Sequence, residues 1–253
     1  MSDVGYPGAM TETGEPRVLE VAEVTKRFGG VAAVSRCSIA LQPGRVYGLI
    51  GPNGSGKTTL FNCITGIEVR DSGTIHLRGR RIDGLAPHRI ARSGVGRTFQ
   101  IIRVFAELTA LENLLAVSWG GRAAALDRAR ELLAFVRLET LAGELAGNLS
   151  YGQQKLVEFV RVLMMDPFMI LLDEPAAGIN RTLLNELLTA IRRLRDEGRT
   201  FLIVEHDMKV VMDLCEHIFV LDYGEKIAEG PPEAIRRDER VIEAYFGRRH
   251  RAE

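Results

Sequence analysis

Residues 51–58 read Gly-Pro-Asn-Gly-Ser-Gly-Lys-Thr, and no other stretch restricts the fold as much. Glycines admit backbone conformations that L side chains resist, and successive inward N–H groups make a nest for an anion. In such a loop the lysine reaches the β- and γ-phosphates of a nucleotide, and the next hydroxyl suits Mg²⁺. The flanks fit this use. The apolar run VYGLIG enters the loop as a strand, and TTLFNCITG leaves it as a helix stopped by Gly66. Gly51, Asn53, Gly54, Ser55, Gly56, Lys57, Thr58 and Thr59 are therefore candidate phosphate ligands, and the chain must contain a strand–loop–helix unit.

The rest of the pattern extends that unit into an α/β fold. VLEVAEV and SIALQPGRVYGLIG read as strands, and DSGTIHLRGRRI as a hairpin bracketed by Gly73 and Gly79. From Pro87 to about Leu163 the pattern is helical, through ALENLLAV, the run from Arg122 to Leu138 and the segment after LSYGQQ. Then β/α alternation returns. FMILLDEP and TFLIVEHD are strands, and TLLNELLTAIRRLRDEG, closed by Gly198, and MKVVMDLCEH are helices. HIFVLDYGEKIAEG is a hairpin turning at its Tyr-Gly pair, and EAIRRDERVIEAYFG is helical. Buried apolar strands alternating with helices imply a parallel sheet with helices on both faces. The helical middle is an insertion.

Two further strands end in polar residues, and open parallel sheets hold ligands at those ends. The first ends in Asp173-Glu174. Asp173 would orient hydrated Mg²⁺, and Glu174 could reach a water in line with a γ-phosphate, a helix-capping acid being its alternative. The second ends in Glu205-His206-Asp207, where His206 could touch the γ-phosphate. His76, His88, His217 and His250 carry no assigned role. Residues 149–154, LSYGQQ, form a second anion-receiving device, with a hydroxyl, a glycine and free N–H groups at a helix start. One chain thus carries two phosphate-directed elements about a hundred residues apart.

Composition narrows the partners. The 33 Lys and Arg balance the 33 Asp and Glu, which argues against nucleic acid as the main partner. The arginine clusters at 192–199 and 236–240 read as solvated helix faces. Cys37, Cys63 and Cys215 are odd in number and widely spaced, so buried reduced thiols are expected rather than disulfides or zinc. No apolar run reaches the length of a membrane span. The first residues lack a basic start and an apolar stretch, and residues 1–16 read as a disordered tail rather than a secretory signal.

The order phosphate loop, RTFQ, LSYGQQ, ILLDEP and EHD resembles the ATPase subunit of an ABC transporter, from Arg17 to Gly247. RTFQIIRVFAELTALENLL, EPAAGIN and EHDMKVVMDLCEHIFVLDYGEKIAEGPPEAI are similar to one subgroup, the ATPases of branched-chain amino acid importers. The resemblance implies a P-loop NTPase core with a mixed, mainly parallel sheet, an N-terminal antiparallel β subdomain and a helical subdomain inserted at about 100–165, all within one domain spanning 17–253. It implies ATP and Mg²⁺ as cofactors.

It also implies site roles. Phe28 matches the adenine-stacking aromatic, with a core aromatic as the alternative. Thr58, Gln100 and Asp173 would serve the metal. Lys57, Gln100, Glu174 and His206 would serve catalysis, with Glu174 as general base. Ser150, Gly152 and Gln153 match the helix that faces the nucleotide of a second subunit, so one nucleotide is sandwiched between two chains. Asn180 stands where the broad family carries aspartate, and Tyr151 where it carries glycine, as in the branched-chain subgroup. Trp119 has no implied role. The implied partners are a second ATPase of the same or a homologous chain, transmembrane permease subunits and, indirectly, a periplasmic binding protein. The implied location is the cytoplasmic face of the plasma membrane. Alternatives are a lipopolysaccharide-type ABC exporter, a soluble ABC protein without a transport role and a P-loop kinase.

Overall fold

A computed structural model describes residues 17–118 and 121–246, the side chain of Phe246 excepted. The expected tail at 1–16, Trp119 and His250 lie outside the described residues. Strands β1 (Leu19–Phe28), β2 (Val31–Leu41) and β3 (Val46–Ile50) lead into α1 (Lys57–Ile64). The short elements β4 (Ser72–Leu77), β5 (Arg80–Arg81), α2 (Pro87–Arg92) and β6 (Val95–Arg97) follow. Helices α3 (Ala110–Leu115), α4 (Arg122–Phe135) and α5 (Tyr151–Leu163) make up the helical middle. The chain ends with β7 (Met169–Asp173), α6 (Arg181–Asp196), β8 (Thr200–Val204), α7 (Met208–Leu214), β9 (His217–Asp222), β10 (Glu225–Gly230), α8 (Pro232–Ile235) and α9 (Glu239–Phe246).

The strands form two sheets. One has four strands in the order β2-β1-β4-β5, antiparallel throughout. The other has six in the order β10-β9-β3-β8-β7-β6, parallel except for the β9–β10 hairpin.

The period-two geometry of a strand sends successive side chains to opposite faces. In the parallel sheet each face feeds its own core. Val46, Ile50, Ile170, Leu172, Phe201, Ile203, Ile218 and Val220 pack with α3 to α9. Tyr47, Leu49, Met169, Leu171, Leu202, Val204, Phe219 and Leu221 pack with α1, α2 and the antiparallel sheet. Full burial of each such side chain contributes about 1.5–3 kcal/mol. This refines the expectation of helices on both faces. On the second face the short helices α1 and α2 share the cover with a sheet, because β1, β2 and β4 present their own apolar sides to it.

The helical reading of 87–163 needs one correction. Residues Val95–Arg97 are a strand, paired in parallel with β7 through Val95–Met169 and Arg97–Leu171. Three residues are too few to show alternation. Gly96 within them is where α5 comes closest, since a Cβ there would lie 2.4 Å from Val162 Cγ1. After α2 and β6 the helices resume at α3, whose Thr109 and Glu112 cap each other's backbone N–H groups.

All three cysteines are free and buried. Burial pushes the thiols of Cys37 and Cys215 up to about 12 and that of Cys63 to about 11. The clustered arginines have carboxylate partners on their own chain, Arg192 with Asp213, Arg193 with Glu197 and Arg240 with Asp238 among them. No described helix is long and apolar enough to cross a membrane.

Candidate active site

Two glycines of the phosphate loop, Gly51 and Gly56, are packed too closely for a side chain. Gly51, Gly54 and Gly56 have φ of 150°, 81° and 101°. A Cβ on Gly51 would sit 2.1 Å from the carbonyl oxygen of Leu221 in β9, and one on Gly56 2.2 Å from that of Ala33 in β2. The loop is thus wedged between the two sheets at the C-terminal end of β3. Lys57 is buried, and its Nζ donates to the carbonyls of Gly51 (2.8 Å) and Pro52 (2.9 Å). Burial lowers its pKa, opposed by the charges of Glu174 and Asp173. Asn53, Gly54 and Thr58 are exposed, Thr59 is half-buried and Ser55 is buried. Phe28 is 49% exposed at the end of β1, and Lys26 Nζ lies 4.9 Å from its ring centroid.

Strands β7 and β8 deliver the acids. Asp173 ends β7 and is 3% exposed. Its N–H donates to Thr98 Oγ1 (3.3 Å), and its Oδ2 accepts from Arg97 Nη2 (3.3 Å). Its Oδ1 is buried without any hydrogen-bond partner. Burial raises this carboxyl's pKa against the pull of Arg97. A buried carboxylate oxygen left unpaired is costly and suits a group that arrives with positive charge. Hydroxyl, amide and carboxylate oxygens from Thr58, Gln100 and Asp173 are the hard donors that Mg²⁺ takes beside a phosphate, so these residue types fit the metal. Gln100 is exposed, just beyond the end of β6. The segment after it is organised by fully buried Asn113. Asn113 accepts the Phe105 N–H (2.8 Å) and donates to the carbonyls of Phe105 and Thr109 (both 3.0 Å).

Glu174 follows with φ of 50°, a left-handed conformation that an L side chain adopts at a cost of order 1–3 kcal/mol. Its N–H donates to Val204 O (2.9 Å), and its carbonyl accepts from Lys155 Nζ (2.6 Å). Its Oε1 lies 2.9 Å from His206 Nε2. The base and the switch histidine predicted from sequence are thus in contact. The loop beyond Glu174 is tied to β8 by buried Glu205. Glu205 Oε1 accepts the Ala176 N–H (2.6 Å), and its Oε2 accepts the His206 N–H (3.0 Å). Burial raises the pKa of Glu205, and these N–H donors oppose the rise.

The LSYGQQ helix start faces outward. Ser150 is the N-cap of α5, exposed, and it forms a reciprocal capping box with Gln153. The Ser150 N–H donates to Gln153 Oε1 (2.9 Å), and the Gln153 N–H to Ser150 Oγ (3.4 Å). Gly152 is buried where α5 meets the start of α6, since a Cβ would lie 2.8 Å from Leu183 Cδ1. The ring of Tyr151 covers Gly178, where a Cβ would lie 2.8 Å from Tyr151 Cε1. Asn180 is the N-cap of α6 and accepts the Leu183 N–H (3.0 Å).

The phosphate loop, Asp173, Glu174 and His206 gather at the carboxyl ends of β3, β7 and β8, whereas Ser150, Gly152 and Gln153 lie on the separate start of α5. Sequence reasoning missed Arg97, Lys155 and Glu205 as parts of this site. Charges in amphipathic runs read as solvated, and only the three-dimensional packing reveals them as buried. A signal for Glu205 did exist, because it sits at a strand end beside His206.

The sequence profile described as "ABC transporter" matches residues 34–177, and the one described as "Branched-chain amino acid ATP-binding cassette transporter" matches residues 225–251. The chain is 42% identical over 249 residues to the high-affinity branched-chain amino acid transport ATP-binding protein BraF of Pseudomonas aeruginosa, covering 91% of this chain and 98% of that one. It is similar to a crystallised cassette of an ABC transporter in its ADP conformation, at 35% identity and a TM-score of 0.83, covering 91% and 99% of the two chains. It is also similar to a cassette solved as a dimer in a post-hydrolysis state with ADP and Pi, at 26% identity and a TM-score of 0.77, covering 85% and 98%.

Proposed function

Since the chain belongs to the ABC transporter family of ATP-binding subunits, we propose that it binds and hydrolyses ATP to power an importer of branched-chain or related amino acids. The branched-chain match at the C-terminus and the resemblance to BraF favour this over a lipopolysaccharide-type exporter or a soluble ABC protein. As an ABC ATP-binding subunit it works with membrane permease components.

ATP binds with its base against Phe28 and its phosphates in the loop from Gly51 to Thr59. Lys57 leaves the Gly51 and Pro52 carbonyls for the β- and γ-phosphates. Thr58, Gln100 and Asp173 would hold Mg²⁺, which would offset charge on the phosphates. Glu174 takes a proton from the attacking water, and His206 holds the γ-phosphate. Stabilisation by preorganised groups of this type contributes about 10²–10³ in rate. A second subunit, the same chain or a homologue, supplies Ser150, Gly152 and Gln153 across the nucleotide, and Asn180 lies at that junction. ATP thereby favours a closed dimer and hydrolysis an open one. The permease senses the change through Gln100 and the helical insertion, at the cytoplasmic face of the plasma membrane, with a periplasmic binding protein delivering the amino acid outside.

The observation that supports this reading best is the Glu174–His206 pair at 2.9 Å, at the same carboxyl ends of the strands that carry the phosphate loop. Glu174→Gln should bind ATP, dimerise and barely hydrolyse. Tagged Glu174→Gln chain, purified with ATP from native membranes in mild detergent, should bring two integral membrane proteins and a second ATPase, identified by mass spectrometry. Unimpaired turnover in the assembled complex removes Glu174 as the base. Lipid-handling membrane subunits favour the exporter, and ribosomes or DNA in the eluate sink the transporter reading.

A further inference from the structure

Lys155 has no part in the function just described, yet it is 7% exposed and lies among acids. Its Nζ ends on the peptide carbonyl of Glu174 at 2.6 Å rather than on a carboxylate. The charges of Glu205, Glu158, Glu174 and Asp173 act on it, and burial lowers its pKa against them. Among the described residues no carboxylate forms an ion pair with it. A desolvated ammonium that makes a charge-assisted bond to one backbone carbonyl fixes that peptide's orientation. The peptide it fixes belongs to the residue with φ of 50°. A left-handed glutamate persists only when its surroundings over-determine it. Here the Val204 carbonyl holds its N–H, Lys155 its C=O, and Glu205 the N–H of Ala176 two residues on.

Lys155 also stands one turn into α5, four residues after Tyr151, whose ring covers Gly178 and lies 5.5 Å from Nζ. The helix start that carries Ser150 and the loop that carries Glu174 are therefore joined within one chain.

We propose that Lys155 is a positioning residue for hydrolysis: it locks the Glu174 backbone so that the carboxylate points at His206 and the attacking water, and it ties that aim to the placement of the α5 helix start. The proposal rests on Glu174 being the base. When a second subunit's nucleotide draws on the α5 start, Lys155 carries that movement to the Glu174 peptide of its own site.

The test uses the full-length protein with K155M, which keeps the chain length and removes the charge, and K155R, which keeps the donor. Misplacing a reacting group by about 1 Å costs on the order of 100-fold in rate. K155M should therefore lower kcat at least ~10-fold while the Kd for a fluorescent ATP analogue changes less than ~3-fold. K155R should restore kcat to within ~3-fold of native. Combined with Glu174→Gln, K155M should lower the residual turnover no further, because the two act as a unit. Turnover of K155M within about twofold of native overturns the proposal. So does a loss matched by an equal loss of ATP affinity, a loss that K155R does not repair, or an additive loss in the Glu174→Gln background. Failure of the underlying reading shows separately, as normal turnover of Glu174→Gln alone.

Discussion

The two phosphate-directed elements of this chain differ in how complete they are. The loop at Gly51–Thr58 takes its shape from its own chain and leaves Asn53, Gly54 and Thr58 exposed. Leu221 and Ala33 press on its glycines, and Lys57 is folded into it. The start of α5 is finished only with respect to itself. Ser150 and Gln153 cap each other, Ser150 exposed and Gln153 half-buried. A binding element that one chain completes is defined by steric fit. One that needs a second chain must stay folded while waiting, and the reciprocal capping box provides that.

The comparison is broken most severely at the loop. Lys57→Ala should abolish nucleotide binding by the single chain and lower turnover by about 10²–10³. Retained affinity in a nucleotide titration would move the phosphate site elsewhere.

Next in size is the helix start. Ser150→Ala should leave the single chain's nucleotide affinity unchanged yet lower turnover by about tenfold, and cost about 1 kcal/mol of stability through the lost cap. Equal losses in affinity and turnover would make the two elements one site rather than two halves.

Mixing Lys57→Ala and Ser150→Ala chains sharpens the point. A dimer of one of each joins an intact loop to an intact helix start, so the mixture should show activity that neither chain has alone. No gain would mean that the working partner is a different chain.

The smallest effect is expected at the cysteines. With Cys63 and Cys215 buried and their thiols pushed up to about 11 and 12, iodoacetamide at pH 8 should leave the folded chain unmodified. It should label all three after denaturation, as read by mass spectrometry. Labelling of Cys63 in the folded protein would show that α1 opens beside the loop.

Much of this was legible in the sequence because it is local. The strand–loop–helix unit, the stop at Gly66, the strands ending in Asp173 and Glu205, and the hairpin at Tyr223-Gly224 follow from turn residues and periodicity. The exceptions are non-local. Strand β6 is three residues long, and its existence depends on β7 beside it. The buried charges of Arg97, Lys155 and Glu205 look like solvent-facing residues until the elements around them are packed. The cover of the second sheet face is equally hidden, since alternation in β1 and β2 says that one side is buried but not what it is buried against. The helix start at Ser150 is legible from its hydroxyl, glycine and amides, whereas the capping of α6 by Asn180 emerges only in the structure.

The alternate residues of β3, β7, β8 and β9 belong to two separate cores, so the central sheet works as a partition. Changes on its two sides meet few shared neighbours, and distant, unshared sites combine additively. The helical side, the start of α5 with Lys155 apart, can therefore be repacked by mutation while the side backing α1 and the antiparallel sheet stays as it is. A single ATP-splitting platform can in this way be refitted to different membrane partners without relearning its chemistry.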